Sequence, residues 1–248
     1  MRIRIFPTPH AVARALAADI SRAMVRDPAL VLGLPTGRTP IPLYRELSRL
    51  GQSGAIDFSR ATTFNLDEFL GVSGDDRRSY RGFMQQHLFA HVNMRASRIH
   101  FLNGMTSDAA AECHRYERAI RHAGGIDLQI LGLGQNGHIG FNEPGRALRA
   151  RTHRTRLTPA TRAANATLFG GRTRDVPREA LSMGMVTILH AARIVMLATG
   201  ASKARRVERM INGALTTRLP ASFLQMHQHV EVWLDRAAAA RLEPETTA

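Results

Sequence analysis

At 248 residues and 44% apolar, the chain has material for one large domain over residues 1–248, and no run of it nears the length that spans a bilayer. A net charge of +14 invites nucleic acid, but the arginines are spread from Arg2 to Arg241 and aromatics make up only 6%, so neither a nucleic-acid nor a membrane partner is expected. The one cysteine, Cys113, excludes an internal disulfide, and the opening Met1-Arg-Ile-Arg-Ile-Phe lacks a signal peptide's apolar stretch, which makes the cytoplasm the expected location. In chain order, Arg2 to Phe6 reads as a strand, His10 to Arg26 as an alanine-rich helix, and Ala29 to Leu34 as a second strand. Pro40 opens a helix that carries Leu43, Leu47 and Leu50 at helical spacing. A strand from Ala61 to Leu66, a helix from Arg78 to Ala90, a strand from Ser97 to Leu102 and a helix from Asp108 to His122 follow. Cys113 falls in that last helix as buried packing.

Leu128 to Leu133 is an apolar run of the kind found in the middle of a parallel sheet. Beyond it, helices are expected near Thr158 to Phe169 and Pro177 to Met183, a strand at Ile194 to Thr199, and a helix from Ala201 to Leu215. A strand from His229 to Asp235, an alanine-rich helix and a frayed tail complete the chain. This alternation implies a single-domain α/β fold, an open and mostly parallel, Rossmann-like sheet with helices on both faces.

Chemistry concentrates where strands end. After Leu133 the chain breaks into glycines at 134, 137 and 140, and this loop carries His138 and, five residues on, Glu143. A titratable pair at the carboxyl end of a central strand sits where open α/β folds build their sites. Gly132-Leu-Gly134-Gln-Asn-Gly137 is a literal dinucleotide fingerprint, but Pro144 and the later glycines bar the helix it needs. No acidic residue lies between Glu143 and Asp175 to meet a ribose, which leaves only Arg154 or Arg156 facing a 2′-phosphate as a route to NADP. No cofactor and no metal is expected.

Pro35-Thr-Gly-Arg-Thr-Pro40, between a strand and a helix, offers backbone N–H groups, the Thr36 and Thr39 hydroxyls, Gly37 and the Arg38 guanidinium to an anion; the bland alternative is a turn with an N-cap. Gly200-Ala-Ser-Lys203 has the same character, and Lys203 is the only lysine in a chain that otherwise uses arginine for positive charge. Chance survival of one lysine is the alternative. Thr63-Phe-Asn-Leu-Asp67-Glu68 ends a strand in adjacent carboxylates that point to opposite sides, so one of them faces a site; Asp67 capping the next element is the alternative.

Pro35-Thr-Gly-x-Thr-Pro40, Thr63-Phe-Asn-Leu-Asp-Glu-Phe69, Gly134-Gln-Asn-Gly-His-Ile-Gly-Phe-Asn-Glu-Pro144 and Gly200-Ala-Ser-Lys203 together resemble the glucosamine-6-phosphate deaminase family, in order and at family-like spacing from about Met1 to Asp235. Ser79-Tyr80, Thr161-Arg162-Ala-Ala-Asn165, Val176-Pro177-x-x-Ala180-Leu181 and Leu224-Gln-x-His227 are similar to further family segments. The resemblance implies a sugar-phosphate substrate, with Asp67 as the base at C2 and His138 opening the ring, held and tuned by Glu143 and Asn136. It also implies a phosphate site of Thr36, Gly37, Arg38, Thr39 and Lys203. The assembly is expected to be a monomer or a homo-oligomer.

Departures from the family pattern matter. Some members carry aspartate at Asn136, and an arginine that helps hold the phosphate in some members aligns with Thr167. Positions that form the allosteric site of hexameric members fall on Arg146, His153, Thr155 and Arg156, a different set. Activation by N-acetylglucosamine 6-phosphate is therefore not expected; a sigmoidal-to-hyperbolic shift of the rate curve in its presence would contradict this. A deaminase of the galactosamine epimer is the nearest rival, since no motif reads C4. A 6-phosphogluconolactonase would hydrolyse the lactone without releasing ammonia. A sugar-phosphate sensor on nucleic acid would need none of the three proton-handling groups Asp67, His138 and Glu143.

Overall fold

The computed structural model describes residues 1–243. Its elements are β1 (Arg2–Phe6), α1 (Pro9–Arg26), β2 (Val31–Leu34), α2 (Ile41–Gln52), β3 (Thr62–Asn65), β4 (Asp67–Phe69), α3 (Tyr80–His87), β5 (Ile99–His100), α4 (Ala109–His122) and β6 (Leu128–Gly132). These are followed by β7 (His153–Arg156), α5 (Pro159–Asn165), β8 (Glu179–Ser182), α6 (Met185–Leu189), β9 (Arg193–Ala198), α7 (Ala204–Asn212) and β10 (Val230–Asp235). Local chemistry sets the helix starts. Thr8 accepts the Ala11 N–H ahead of Pro9, and Asp108 accepts those of Ala110 and Ala111 ahead of α4. Val12, Leu16 and Ile20 lie on the buried stripe of α1 at four-residue spacing.

Seven strands form one parallel sheet in the order β1-β10-β9-β6-β2-β3-β5. From β2 the chain steps outward to β3 and β5, then returns to lay β6 against the other side of β2 and continues to β9 and β10. Connections therefore leave β2 and β6 in opposite directions, and a crevice opens at their carboxyl ends. Apolar side chains pack on both faces of this sheet, Leu16, Leu43 and Trp233 in one cluster and Tyr116, Leu131 and Val207 in the other. Cys113 is buried in the second cluster, and burial pushes its thiol up to about 11. Among the described residues no helix is long and apolar enough to cross a membrane.

A second, three-stranded antiparallel sheet, β4-β8-β7, sits on this scaffold. The sequence had suggested a helix at Pro177 to Met183; the chain there is β8, paired on both sides. Ala180 and Leu181 favour a helix intrinsically, but two ladders and complete burial override a preference worth tenths of a kcal/mol per residue. The alanine-rich stretch after Asp235 is a run of turns, with the Ala238 N–H on Asp235 Oδ1 at 2.8 Å. So short a segment cannot offset helix nucleation. The expected frayed tail lies at 244–248, outside the described residues. Smaller departures are the strand expected at Ser97 to Leu102, which pairs only over β5, and the helix from Ala201, whose first turn is 3-10 as far as Lys203.

Candidate active site

The crevice at the β2/β6 switch point is a cavity of about 590 Å³. Thr36, Gly37, Arg38 and Thr39 after β2, Asp67 on β4, Asn136 and His138 after β6, and Lys203 after β9 all line it. Eight of the nine residues expected from the sequence thus meet in one place. The ninth, Glu143, lies behind His138 rather than on the wall: its Oε2 is 3.7 Å from His138 Nδ1.

Two titratable side chains of the lining, Asp67 and His138, are backed by further carboxylates. Asp67 and Glu68 diverge as neighbours on a strand must. Asp67 faces the cavity. Glu68 turns away and accepts the backbone N–H groups of Phe69, Tyr80 and Arg81, each at 2.9 Å, so it braces the first turn of α3. Burial, then the neighbouring Glu68 charge, push the Asp67 carboxyl well above the usual carboxylate range. Glu68 is lifted by burial to about 7 against the backbone N–H groups that favour its charge.

His138 sits on the glycine loop. Its backbone N–H donates to Asn136 Oδ1 at 3.2 Å, and Asn136 Nδ2 donates to Glu143 Oε2 at 2.7 Å. Thr161 Oγ1 donates to the other carboxylate oxygen. Burial alone would raise Glu143, but the adjacent imidazole and the Thr161 and Asn136 hydrogen bonds outweigh it and hold the carboxyl below its ordinary range. Nδ1 of His138 is sealed from solvent and faces Glu143, so Nε2 is the nitrogen left to meet a ligand. Such an imidazole can take up and return a proton while the carboxylate steadies its charged form.

The small sheet brings Asp67 to this loop. The Phe141 N–H donates to Ser182 Oγ at 3.0 Å, Asn142 Nδ2 donates to Met183 O at 2.8 Å, and Asp67 pairs with Ser182 in the ladder. Gly140, at φ 55°, lies so close that a Cβ there would come within 3.2 Å of Asp67 Oδ2. A Cβ on Gly134 would meet the His138 ring at 2.3 Å, so glycine there lets the imidazole lie against the backbone.

The same cavity is also lined by cations, Arg38, Lys203 and Arg206. Gly37 takes a φ of 101° in the turn after β2, and the Tyr44 hydroxyl donates to Pro35 O to fix the loop's entry. Pro40 precedes α2 without a side-chain cap, which leaves the helix's first N–H groups without side-chain acceptors. Lys203 Nζ donates to Leu133 O at 2.7 Å across the floor. Burial, and then the nearby Arg206 and Arg38 charges, lower its proton affinity. The Gly200 N–H is held by both Asp235 carboxylate oxygens, at 3.0 and 3.1 Å, which anchors the loop that presents Lys203.

Sequence reasoning assigned no role to Tyr80, Thr161, Asn165 or Arg206, all of which line the cavity. Tyr80 donates from its hydroxyl to Asn165 Oδ1 at 3.0 Å and stacks on Phe141, tying α3 to α5 across the opening. The sequence did offer a signal for Arg206, since its three-residue offset from Lys203 places both on one helical face. Thr167 is exposed and is not among the residues that line the cavity. Among the described residues no group of three His, Cys, Asp or Glu is placed to hold a metal ion.

The model of one family, glucosamine-6-phosphate isomerases/6-phosphogluconolactonase, matches residues 8–233. The chain is 45% identical to a glucosamine-6-phosphate deaminase of Halothermothrix orenii over 242 residues, 98% of this chain and 100% of that one. It is 47% identical over 244 residues to glucosamine-6-phosphate deaminase 2 of Bacillus subtilis, covering 98% of both. The solved structure of a monomeric glucosamine-6-phosphate deaminase superposes with a TM-score of 0.93 at 41% identity, over 97% of this chain and 99% of that one. A 6-phosphogluconolactonase from Thermotoga maritima shares the fold, with a TM-score of 0.74 at 20% identity over 94% of this chain and 98% of that one.

Proposed function

The chain belongs to the glucosamine-6-phosphate isomerase and 6-phosphogluconolactonase family, and from that premise we propose that it is an enzyme converting glucosamine 6-phosphate and water to fructose 6-phosphate and ammonia. One observation carries the reading: a buried carboxylate and a carboxylate-backed imidazole share one cavity with the cations Arg38, Lys203 and Arg206. A lactonase needs a base for water but no second group to shuttle a proton between neighbouring carbons.

In the proposed reaction, Nε2 of His138 donates a proton to the ring oxygen while the anomeric hydroxyl loses one, and the sugar opens. Glu143 stabilises the charged imidazole, and Asn136 and Thr161 hold Glu143 in place. Asp67 removes the C2 proton to give an enolamine and returns a proton to C1. Water then adds to the resulting C2 imine and ammonia leaves. Proton transfers among Asp67, His138 and water close the balance without a cofactor. Thr36, Gly37, Arg38, Thr39 and Lys203 hold the phosphate, whose binding energy is remote from the bonds that change. The reaction belongs to amino-sugar catabolism in the cytoplasm, and the enzyme works as a monomer or homo-oligomer on a small molecule, without nucleic acid or membrane.

The test is stoichiometric ammonia and fructose 6-phosphate from glucosamine 6-phosphate, with galactosamine 6-phosphate and 6-phosphogluconolactone in parallel. Preference for the epimer keeps the mechanism and changes the substrate; lactone hydrolysis alone rejects both. Lys203→Ala is expected to raise KM by about tenfold or more with kcat nearly retained, because a charge-assisted bond to phosphate is worth about 1.5–3 kcal/mol. An unchanged KM would remove Lys203 from the phosphate site.

A further inference from the structure

Arg206 lies in the first turn of α7, one helical turn beyond Lys203, and lines the same cavity as Arg38 on the loop after β2. This is an unfavourable place for a cation in an empty protein, because the amino end of a helix repels positive charge. Two further cations stand beside it. Among the described residues no carboxylate lies within ion-pair distance of Arg38, Lys203 or Arg206. Some arginines elsewhere are paired, as Arg115 is with Glu112 and Arg193 with Asp19 and Glu231, but many of the described ones are not; what sets Arg38 and Arg206 apart is that they meet in one cavity beside a partly buried lysine. Two guanidinium charges beside one partly buried lysine repel it and each other, and burial deepens the penalty.

We propose that Arg206 is a phosphate-binding residue that works with Arg38 and Lys203, so that the three cations form a three-pronged grip for a phosphoryl group. A phosphate monoester brings about two negative charges and three acceptor oxygens, which matches three cationic donors, one on the loop after β2 and two at the start of α7. Guanidinium groups suit the task because their planar forks bind phosphate oxygens in pairs, while the ammonium of Lys203 acts as a point charge on the floor. The inference rests on the sugar-phosphate reading for its substrate, but the anion site itself does not.

The test measures Kd for fructose 6-phosphate and for inorganic phosphate by calorimetry, and steady-state kinetics with glucosamine 6-phosphate, for the intact wild-type chain, Arg206→Ala and Arg206→Lys. Arg206→Ala is expected to weaken both ligands and to raise KM by roughly tenfold, with kcat within about twofold and a ligand-free melting temperature no lower than the wild type's, since the variant relieves the repulsion among the cations. Arg206→Lys should recover part of the loss, as a merely structural role would not. Unchanged KM and Kd in Arg206→Ala, with the wild type releasing ammonia, would overturn the grip and leave the deaminase reading standing. If the wild type releases no ammonia yet Arg206→Ala still weakens inorganic phosphate, the grip stands and the deaminase reading falls. If kcat falls as much as KM rises, or the melting temperature drops with it, Arg206 supports the fold or the chemistry rather than the phosphate.

Discussion

Asp67→Asn is expected to lower kcat by about 10³-fold, to leave the Kd for fructose 6-phosphate within about threefold, and to raise the melting temperature at pH 8. The first two effects follow from place. Asp67 faces the cavity from β4, and in the proposed reaction the amide removes the base without changing any residue proposed to hold the phosphate. The third follows from its environment. The folded state holds the Asp67 proton more tightly than the unfolded chain, because burial and the Glu68 charge disfavour ionisation. Stability from this group is therefore present below its unfolded pKa and is lost as pH rises through the raised folded value. Asparagine carries no such penalty, so the variant should gain about 2–4 °C for each kcal/mol relieved, and the gain should shrink toward pH 4. Activity has the opposite sign: the base must be ionised, so kcat/KM should fall with acid at a pH above the usual carboxylate range. Collapse of binding in Asp67→Asn would make the residue a substrate clamp, and a lower melting temperature at pH 8 would mean that its charge is compensated.

Gly134→Ala is expected to cost about 10²-fold or more in kcat with the fold intact. The added methyl would lie 2.3 Å from the imidazole of His138, a distance no packed pair of atoms tolerates. The ring is the part that can give way, since the loop backbone is pinned by the Gly134 N–H on His138 O and by the Asn136 and Phe141 bonds. Displacing the ring takes Nδ1 off Glu143 and Nε2 out of position, which forfeits general acid–base assistance worth about 10²- to 10⁴-fold. The double variant with His138→Ala separates this from general damage: if Gly134 acts through the ring, it should be no slower than His138→Ala alone. A further loss in the double variant would mean that the methyl disturbs the loop as well.

Much of this was legible in the sequence because the information was local. The inner strands β2, β6 and β9 announced themselves as apolar runs, and the Pro35–Pro40 loop, the glycine loop and the lone lysine all fall where strands end. The divergence of Asp67 from Glu68 needed only the two-residue period of a strand. The small antiparallel sheet was not legible. Its strands are three or four residues long, β7 alternates half-buried and exposed positions with polar and charged side chains, and β8 carries helix-forming residues. What makes them strands is partners more than 20 residues away in the chain. Arg206 escaped for another reason: its three-residue offset from Lys203 is a local signal, but among so many arginines only three-dimensional placement shows which ones line the cavity.

The pairing of β4 with β8 also makes the chemistry hostage to folding fidelity. A slip of one residue in that three-residue ladder would exchange the two carboxylates, turning Glu68 into the cavity and Asp67 toward α3. The result would be a nearly native molecule, as soluble and as helical as its neighbours, with the wrong reach for proton abstraction. The backbone N–H groups of Phe69, Tyr80 and Arg81 converging on Glu68 penalise that error, since an aspartate in its place is one methylene too short to meet them all. By gathering these three N–H groups, Glu68 favours the register in which Asp67 faces the cavity.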